Sequence, residues 1–275
     1  EIAKFALVFF CAVHLSENYD KVKKFKTLLP PLLVGGIFCG LVILEPNMSI
    51  TMCIGLVLVI MLFLGGISAK HFACLAVPGV LAVPALIFME PYRVKRLMAF
   101  LNPWASPQAE GFQLIQSLYG LGAGGLFGVG LFNSRQKYSF LPFAESDFIF
   151  SIIGEELGFI GAMFIVLVFA VLVVCLIIIA RRAKTRFSML LVAGVASVIA
   201  VQTILNIAVV TGSIPPTGLP LPFISAGSTS LIVFMSAIGI CLNVSKQSRQ
   251  TNVGDVTIIE NKRMNKLFKK VKTYK

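Results

Sequence analysis

Long apolar runs, separated by short polar segments, make up most of this chain. There are seven of them, and most approach or exceed the about 20 residues that a helix needs to cross a bilayer. They cover roughly residues 2–15, 29–44, 48–67, 72–89, 148–180, 187–211 and 221–244. The pattern predicts an all-α polytopic membrane protein with about seven transmembrane helices.

The amino-acid composition agrees with this pattern. Of the 275 residues, 57% are hydrophobic and 13% are charged, and the mean hydropathy is +0.90. These values exclude an ordinary soluble domain. The first run starts at once with Glu1 and Ile2, without the basic flank or the cleavage site of a signal peptide. We therefore expect an N-terminally truncated sequence that begins inside a helix.

The net charge of +12 predicts membrane topology and not nucleic-acid binding. When the runs are treated as alternating spans, most of the 24 basic residues fall on one side, as the positive-inside rule requires for the cytoplasm. We expect a transmembrane domain over residues 1–245 and a disordered, basic cytoplasmic tail over residues 246–275. Two interpretations of the tail remain open, a solvated segment and a segment lying on anionic lipid.

The carboxylates follow the opposite pattern. Most of the 12 lie on the external side, and four of them fall between Glu145 and Glu156. An ionisable group at the mouth of a membrane helix needs a partner, a water-filled cavity or a chemical role. The six cysteines and two histidines are scattered singly and form no metal or redox motif. Function is therefore expected among the external acids.

A connection of almost sixty residues, 90–147, is predicted to be a long extracytoplasmic loop. Connections of this length usually bind or catalyse. It begins with three bases, Arg93, Lys95 and Arg96, which either clamp an anionic group such as a diphosphate or snorkel to lipid phosphates. The sequence does not decide between these two interpretations.

Two further segments of this loop carry recognisable patterns. Apolar residues at helical spacing predict a short amphipathic helix at the surface over residues 112–119, with Gln113 and Gln116 on another face. The glycine-rich stretch 120–130 fits no nucleotide-binding register, so we expect close helix packing or a hinge there.

Asp147 stands where the loop meets the long run 148–180. It is either the N-cap of the next helix or a functional acid. Glu155 lies eight residues on, about 80° round the helix and roughly 12 Å deeper, with Ser151 between them. This spacing predicts a polar stripe that descends from Asp147, while Glu156 points to the opposite side and pairs with another helix.

Two later features are expected near the same place. Gln202 and Asn206 lie one helical turn apart within an apolar run, which favours interhelical hydrogen bonds. Residues 213–225 contain four prolines and form an irregular outer loop that walls the same site.

Several blocks of residues, in order along the chain, resemble one family. They are Glu90-Pro91-Tyr92-Arg93 with Arg96, Asn102-Pro103-Trp104, Gly111-Phe112-Gln113 with Gln116, Ser134-x-Gln136-Lys137, Asp147-Phe148-Ile149-Phe150, Gly154-Glu155-Glu156-Leu157-Gly158, and Gly218-Leu219-Pro220-Leu221-Pro222 with Ser225. The chain resembles the SEDS family of cell-wall polymerases (shape, elongation, division and sporulation), and its division branch more than its elongation branch. Glu1 and Lys4 resemble a segment in the fourth of the family's ten spans.

The resemblance implies a peptidoglycan glycosyltransferase that polymerises lipid II on the outer face of the membrane during cell division and releases undecaprenyl diphosphate. It implies that Asp147 is the catalytic base. The substrate-binding residues that it implies are Arg93, Arg96, Lys137, Gln113, Gln116, Glu155 and Ser225. A divalent cation, Mg²⁺ or Mn²⁺, is the candidate cofactor, and the metal ligands are unknown.

The resemblance also implies partners and a location. The partners are a class B penicillin-binding protein, which is a transpeptidase, and other division proteins, and the location is the inner membrane at the division septum. Two rival functions remain open: a flippase for lipid II, which would use the same anionic clamp and polar stripe, and a non-catalytic scaffold for cell division, in which the basic tail and the outer loop bind partners. The chain departs from the family at Glu145, where a histidine is common, and we expect this second acid to raise the pKa of Asp147 by repulsion.

Overall fold

The computed structural model describes residues 1–45, 47–139 and 145–248, and the regular structure in these ranges is helical. We number the α-helices in chain order. They are α1 (Ile2–Glu17), α2 (Phe25–Leu44), α3 (Met48–Leu64), α4 (Ala69–Phe88), α5 (Pro91–Leu101), α6 (Phe112–Gly124), α7 (Arg135–Ser139), α8 (Ile149–Arg182), α9 (Arg186–Val210) and α10 (Ser228–Ser248). Each of the seven apolar runs overlaps one of these helices, which confirms the all-α polytopic membrane fold.

Helix α9 forms the centre of the bundle. It packs against α1, α3 and α8, and over half of its most apolar stretch is buried, against 17% for the corresponding stretches of α2, α8 and α10. These four helices are long and apolar enough to cross a membrane. The exposed apolar faces of α2, α8 and α10 suit contact with lipid, whereas the apolar residues of α9 pack inside the bundle.

Helix α8 is not the continuous helix that its sequence predicts. Gly158 has φ 69° and ψ −171°, which divides α8 into an upper half, residues 149–157, and a lower half, residues 159–182. This backbone conformation is open mainly to glycine, and a Cβ atom at Gly158 would collide with the backbone of Gly128 and Leu126. The break therefore depends on a glycine and on the segment that packs against it.

Helix α6 descends beside the upper half of α8. A Cβ atom at Gly120 would lie 2.8 Å from the hydroxyl of Ser151, and one at Gly124 would collide with the carbonyl oxygen of Gly154. The predicted helix is thus confirmed, and so is close packing through glycines. Helix α6 buries Ser117, Gly120 and Gly124 together with Leu114 and Ile115, and leaves Leu118 and Tyr119 exposed.

After α6 the chain turns back at residues 125–132, which we call the glycine loop. Its backbone bonds to both ends of the break in α8. Val129 and Gly130 donate to the carbonyl oxygens of Glu155 and Glu156, and the amides of Phe159 and Ile160 donate to the carbonyl oxygens of Gly125 and Leu126. The loop thus supplies hydrogen-bond partners that a broken helix lacks.

Helix α10 begins later than the apolar run that predicted it. Residues 211–227 are irregular, as expected from the prolines, and the helix starts only at Ser228. The reason is that Leu221 and Ser225 form a turn instead, in which the Leu221 amide donates to the Ser225 hydroxyl. The predicted disordered tail, residues 246–275, starts inside α10, which runs to Ser248, and the rest of it lies outside the described residues.

Candidate functional site

The segment that carries Asp147 is held in place by hydrogen bonds to its backbone carbonyl groups, which we call the clamp. Asn206 on α9 donates from its side-chain amide to the carbonyl oxygen of Asp147, at 2.8 Å. The hydroxyl of Ser225 donates to the carbonyl oxygen of Ser146, and the backbone amide of Ala226 donates to the carbonyl oxygen of Glu145 at 2.8 Å. Three consecutive carbonyls are thereby fixed, while the side chain of Asp147 is left to face the site.

Asp147 is not a helix cap. Helix α8 begins at Ile149 with Phe148 as its N-cap, and no side chain caps this end. The capping interpretation of the sequence is therefore wrong. A Cβ atom built on Gly218 would lie 3.3 Å from the Oδ2 atom of Asp147, so the proline-rich loop walls the acid as the sequence predicts.

The pKa of Asp147 is raised above its ordinary value. Burial is the main cause, because it disfavours the charged form; a hydrogen bond from the Ser146 side chain and the positive charge of Arg96 act in the opposite direction. The rise expected from the sequence is thus present, but its cause is burial. The expected repulsion from Glu145, which is exposed, is not among the causes.

A buried polar network lies behind the clamp. Asn206 also donates to the carbonyl oxygen of Leu219 at 2.7 Å, and Gln202, one turn away, donates to that of Pro220 at 2.9 Å. Gln202 in turn accepts from the fully buried Lys4 of α1, which pairs with Glu1 at 2.9 Å. Gln202 therefore bonds to helix α1, as predicted, whereas both partners of Asn206 are carbonyl groups outside the helices, so its bonds are not interhelical.

This network contains a residue whose place the sequence does not reveal. A buried lysine needs an anion and hydrogen-bond acceptors, and Lys4 finds them in Glu1 and Gln202. In the sequence it is noticeable as a basic residue within the first apolar run and, with Glu1, as part of the resemblance, but neither signal indicates its partners. From helix α1 it supports the loop that walls Asp147, because Gln202 bonds both to Lys4 and to the carbonyl oxygen of Pro220.

Helix α5 brings Arg96 towards Asp147. The guanidinium of Arg96 donates to the carbonyl oxygen of Pro216 at 3.5 Å and lies 4.6 Å from the ring centroid of Tyr92. Arg93 is half-buried one turn before it, whereas Lys95 is exposed. The positive charge of Arg96 reaches Asp147 and lowers its pKa.

Glu155 organises a second cluster around α7. Its carboxyl oxygens accept from the Ser134 hydroxyl, from the Arg135 amide at 3.1 Å and from the Gln136 amide at 3.4 Å. Ser134 then accepts from the amide of Lys137 at 3.1 Å. Glu155 is 2% exposed and lies beside a cavity of about 320 Å³ that Arg135 and Asn133 also line.

The predicted polar stripe along α8 is therefore divided among partners. Ser151 donates to the carbonyl oxygen of Ser117 on α6 at 2.7 Å, and Glu155 holds the start of α7. Glu156, predicted to pair with another helix, has a buried carboxyl oxygen without a hydrogen-bond partner among the described residues. The burial of Ser151 and Glu155 agrees with a stripe that enters the bundle, but helical spacing gave no information on the loop that returns to meet them.

The remaining predicted site residues fall into two groups. Gln113 and Gln116 are half-buried on α6. Lys137 lies in the Glu155 cluster, with its ammonium 5.9 Å from the ring centroid of Phe132. Ser225 uses its hydroxyl twice within the protein, towards Leu221 and Ser146, which places it behind Asp147 as a support.

The described residues contain no group of three His, Cys, Asp or Glu side chains that could hold a metal ion. The acids near the site fit a different arrangement, in which Mg²⁺ is held by one or two carboxylates together with substrate phosphates. Glu145, exposed two residues before Asp147, has the chemistry for this.

The fold and the site define a polytopic membrane protein in which a partly buried acid, Asp147, lies at one end of the helical bundle and is backed by a polar network. The chain belongs to the family of cell cycle proteins that includes FtsW, RodA and SpoVE, whose sequence model matches residues 1–250.

Relatives in this family share much of the chain. It is 43% identical over 252 residues to the stage V sporulation protein E of Bacillus subtilis, covering 90% of this chain and 68% of that protein. It is 40% identical over 252 residues to the probable peptidoglycan glycosyltransferase FtsW of Coxiella burnetii, with the same coverage of each chain.

Solved structures have the same fold. A chain from a peptidoglycan synthase complex, in a study of how polymerization and crosslinking are coordinated, aligns with a TM-score of 0.73 at 27% identity and covers 90% of this chain and 69% of that one. The rod shape determining protein RodA of Thermus thermophilus aligns with a TM-score of 0.62 at 22% identity, over 89% of this chain and 64% of that one. The second likeness concerns the fold alone.

Proposed function

We propose that this chain is a peptidoglycan glycosyltransferase that polymerises lipid II on the outer face of the cytoplasmic membrane during cell division. The observation that carries the proposal is the carboxyl group of Asp147. Its backbone is fixed by Asn206, and burial raises its pKa. Membership of the FtsW, RodA and SpoVE family supports this activity.

In the proposed reaction, the 4-hydroxyl oxygen of the acceptor sugar forms a bond to the anomeric carbon of the donor sugar. The bond from that carbon to the diphosphate oxygen breaks, and undecaprenyl diphosphate leaves. Asp147 accepts the proton of the hydroxyl group as general base. A pKa raised towards the working pH suits this role, because it makes the carboxylate a stronger proton acceptor.

The bases of the loop act on the leaving group. Arg96 already lies close enough to Asp147 to influence its pKa, so a diphosphate bound there meets its positive charge. Arg93 and Lys137 add further positive charge as the diphosphate departs, and Gln113 and Gln116 bind the sugars. A divalent cation held by Glu145 and the diphosphate would neutralise more of that charge.

The proposed partner is a class B penicillin-binding protein, which crosslinks the glycan that this chain makes. The alignment with a chain of a peptidoglycan synthase complex supports such a partnership. The similarity to FtsW proteins supports a location at the division septum.

Substitution of Asp147 tests the proposal. Asp147→Asn keeps the shape of the side chain and removes the base, so polymerisation of labelled lipid II, followed by gel electrophoresis of the glycan chains, should be abolished with and without a partner transpeptidase. Glu145→Gln is the matched control, because this acid is exposed in the same segment, and it should still make glycan when the cation is supplied in excess. Normal glycan synthesis by Asp147→Asn would refute the proposal.

A further inference from the structure

The glycine loop, residues 125–132, exposes large apolar side chains. Phe127 is 80% exposed, Phe132 71%, Leu126 62% and Leu131 61%. The sequence from 121 to 134 contains no charged residue, and the first charges that follow are Arg135 and Lys137. A loop in contact with water would not normally present such a surface.

The lower half of α8 fixes the depth of this loop. Residues 157–180 form an uncharged stretch, bounded by Glu155 and Glu156 above and by Arg181 and Arg182 below. At about 1.5 Å per residue the stretch is roughly 36 Å long, slightly more than the about 30 Å of a bilayer's hydrocarbon core. The lower half of α8 is therefore the part that crosses the membrane.

The glycine loop is bonded to the outer end of that stretch. The amides of Phe159 and Ile160 donate to Gly125 and Leu126, so the apex of the loop lies level with the first turn of the membrane-crossing half. The exposed face of this turn continues into Met163 and Phe164, which are also exposed. The loop and the lipid-facing side of α8 thus form one apolar surface.

The backbone of the loop is suited to an apolar environment. Irregular backbone at membrane depth is tolerated only where its polar groups bond within the protein. Gly125, Leu126, Val129 and Gly130 each bond to the ends of the break in α8, and Gly128 donates to the carbonyl oxygen of Gly124. The apolar side chains point outward while these amides and carbonyls are satisfied from behind.

We propose that the glycine loop is a re-entrant segment whose side chains enter the acyl chains of the outer leaflet. Part of the long loop that the sequence assigns to the aqueous side then lies in lipid. Helix α6 descends to the membrane, the loop turns within it, and α7 returns Arg135 and Lys137 to the level of the phosphates. This proposal does not depend on the enzymatic activity.

The single tryptophan of the chain allows a direct test. Trp104→Phe gives a background without tryptophan, into which Phe127→Trp introduces one probe at the apex of the loop. The full chain is reconstituted into phosphatidylcholine vesicles brominated either near the headgroup end or near the methyl end of the acyl chains. Gln108→Trp, at an exposed turn, is the aqueous control, and Leu167→Trp, exposed on the lower half of α8, is the deep control.

We expect the fluorescence of Phe127→Trp to be quenched several-fold more than that of Gln108→Trp, and more by bromines near the headgroup than by those near the methyl end. Leu167→Trp should show the opposite depth preference. If Phe127→Trp does not fold, Leu131→Trp and Phe132→Trp report on the same loop. Quenching no greater than that of Gln108→Trp overturns the proposal. This holds both when the emission spectrum shows a probe in water and when it shows a probe covered by another protein.

Discussion

The hydrogen bonds of Glu155 predict that replacing its carboxylate by an amide will destabilise the protein. Three donors face its two carboxyl oxygens, from Ser134, Arg135 and Gln136. Such a set suits a group that only accepts. Glu155→Gln replaces one oxygen by an amide nitrogen, which leaves at least one of these donors facing another donor.

The magnitude follows from the number of donors affected. An unsatisfied buried donor costs about 1–3 kcal/mol, so Glu155→Gln should lower the free energy of unfolding by about that amount and Glu155→Ala by up to three times as much. Water entering the neighbouring cavity reduces the second figure. At about 2–4 °C per kcal/mol, the midpoint of thermal unfolding should fall by roughly 2–12 °C for Glu155→Gln.

Glu156→Gln is the matched control. It is the next residue on the same helix, and one of its carboxyl oxygens is buried without a hydrogen-bond partner among the described residues. Its replacement by an amide should leave the unfolding midpoint unchanged or raise it. Thermal unfolding of the two variants in the same detergent, followed by circular dichroism, provides the comparison.

Glycan synthesis extends the test from stability to function. If Glu155 acts by holding Lys137 in place, Glu155→Gln and Lys137→Gln should reduce polymerisation of labelled lipid II by similar factors, and the double variant should be no worse than Lys137→Gln alone. Equal unfolding midpoints for Glu155→Gln and Glu156→Gln, or additive losses of activity in the double variant, would refute this reasoning.

Three further predictions concern Asp147 and its surroundings. Because Arg96 lowers the pKa of Asp147, Arg96→Gln should move the acidic limb of the pH–rate profile to higher pH, whereas Lys95→Gln, which is exposed, should not move it. Gly218 has φ 60° and a Cβ position close to Asp147, so Gly218→Ala should cost about 1–3 kcal/mol in unfolding free energy and most of the activity, while Gly227→Ala should be tolerated. Chelation with EDTA should reduce polymerisation, and added Mg²⁺ or Mn²⁺ should restore it; full activity after chelation would exclude the proposed cation.

The helices were predictable because their signal is strong and local. Each apolar run overlaps a helix, and the spacing of Gln202 and Asn206 was enough to predict that both bond within the protein, although only Gln202 bonds to another helix. The break at Gly158 was not predictable in the same way. Gly158 lies among apolar residues that continue the helical pattern, and what stabilises its conformation is a loop about thirty residues earlier in the chain.

The candidate site, like the fold, was predictable only in part. Asp147 was recognisable from its position at a boundary between polar and apolar sequence and from the resemblance. The groups that hold it were not, because they are backbone carbonyls bonded by Asn206, Ser225 and Ala226 from distant parts of the chain. Sequence patterns describe side chains, and they contain little information on which carbonyl a distant side chain will meet.

The break in α8 also has a mechanical consequence. A continuous helix transmits tilt and rotation along its length, whereas here the upper half is joined to the lower half through Gly158 and the hydrogen bonds of the glycine loop. Membrane helices change their tilt to match the thickness of the bilayer. Asp147 is held by Asn206 of α9 and faces the proline-rich loop, and it does not lie on the lower half of α8. We therefore expect a change in membrane thickness to move the lower half of α8 more than it moves the acid.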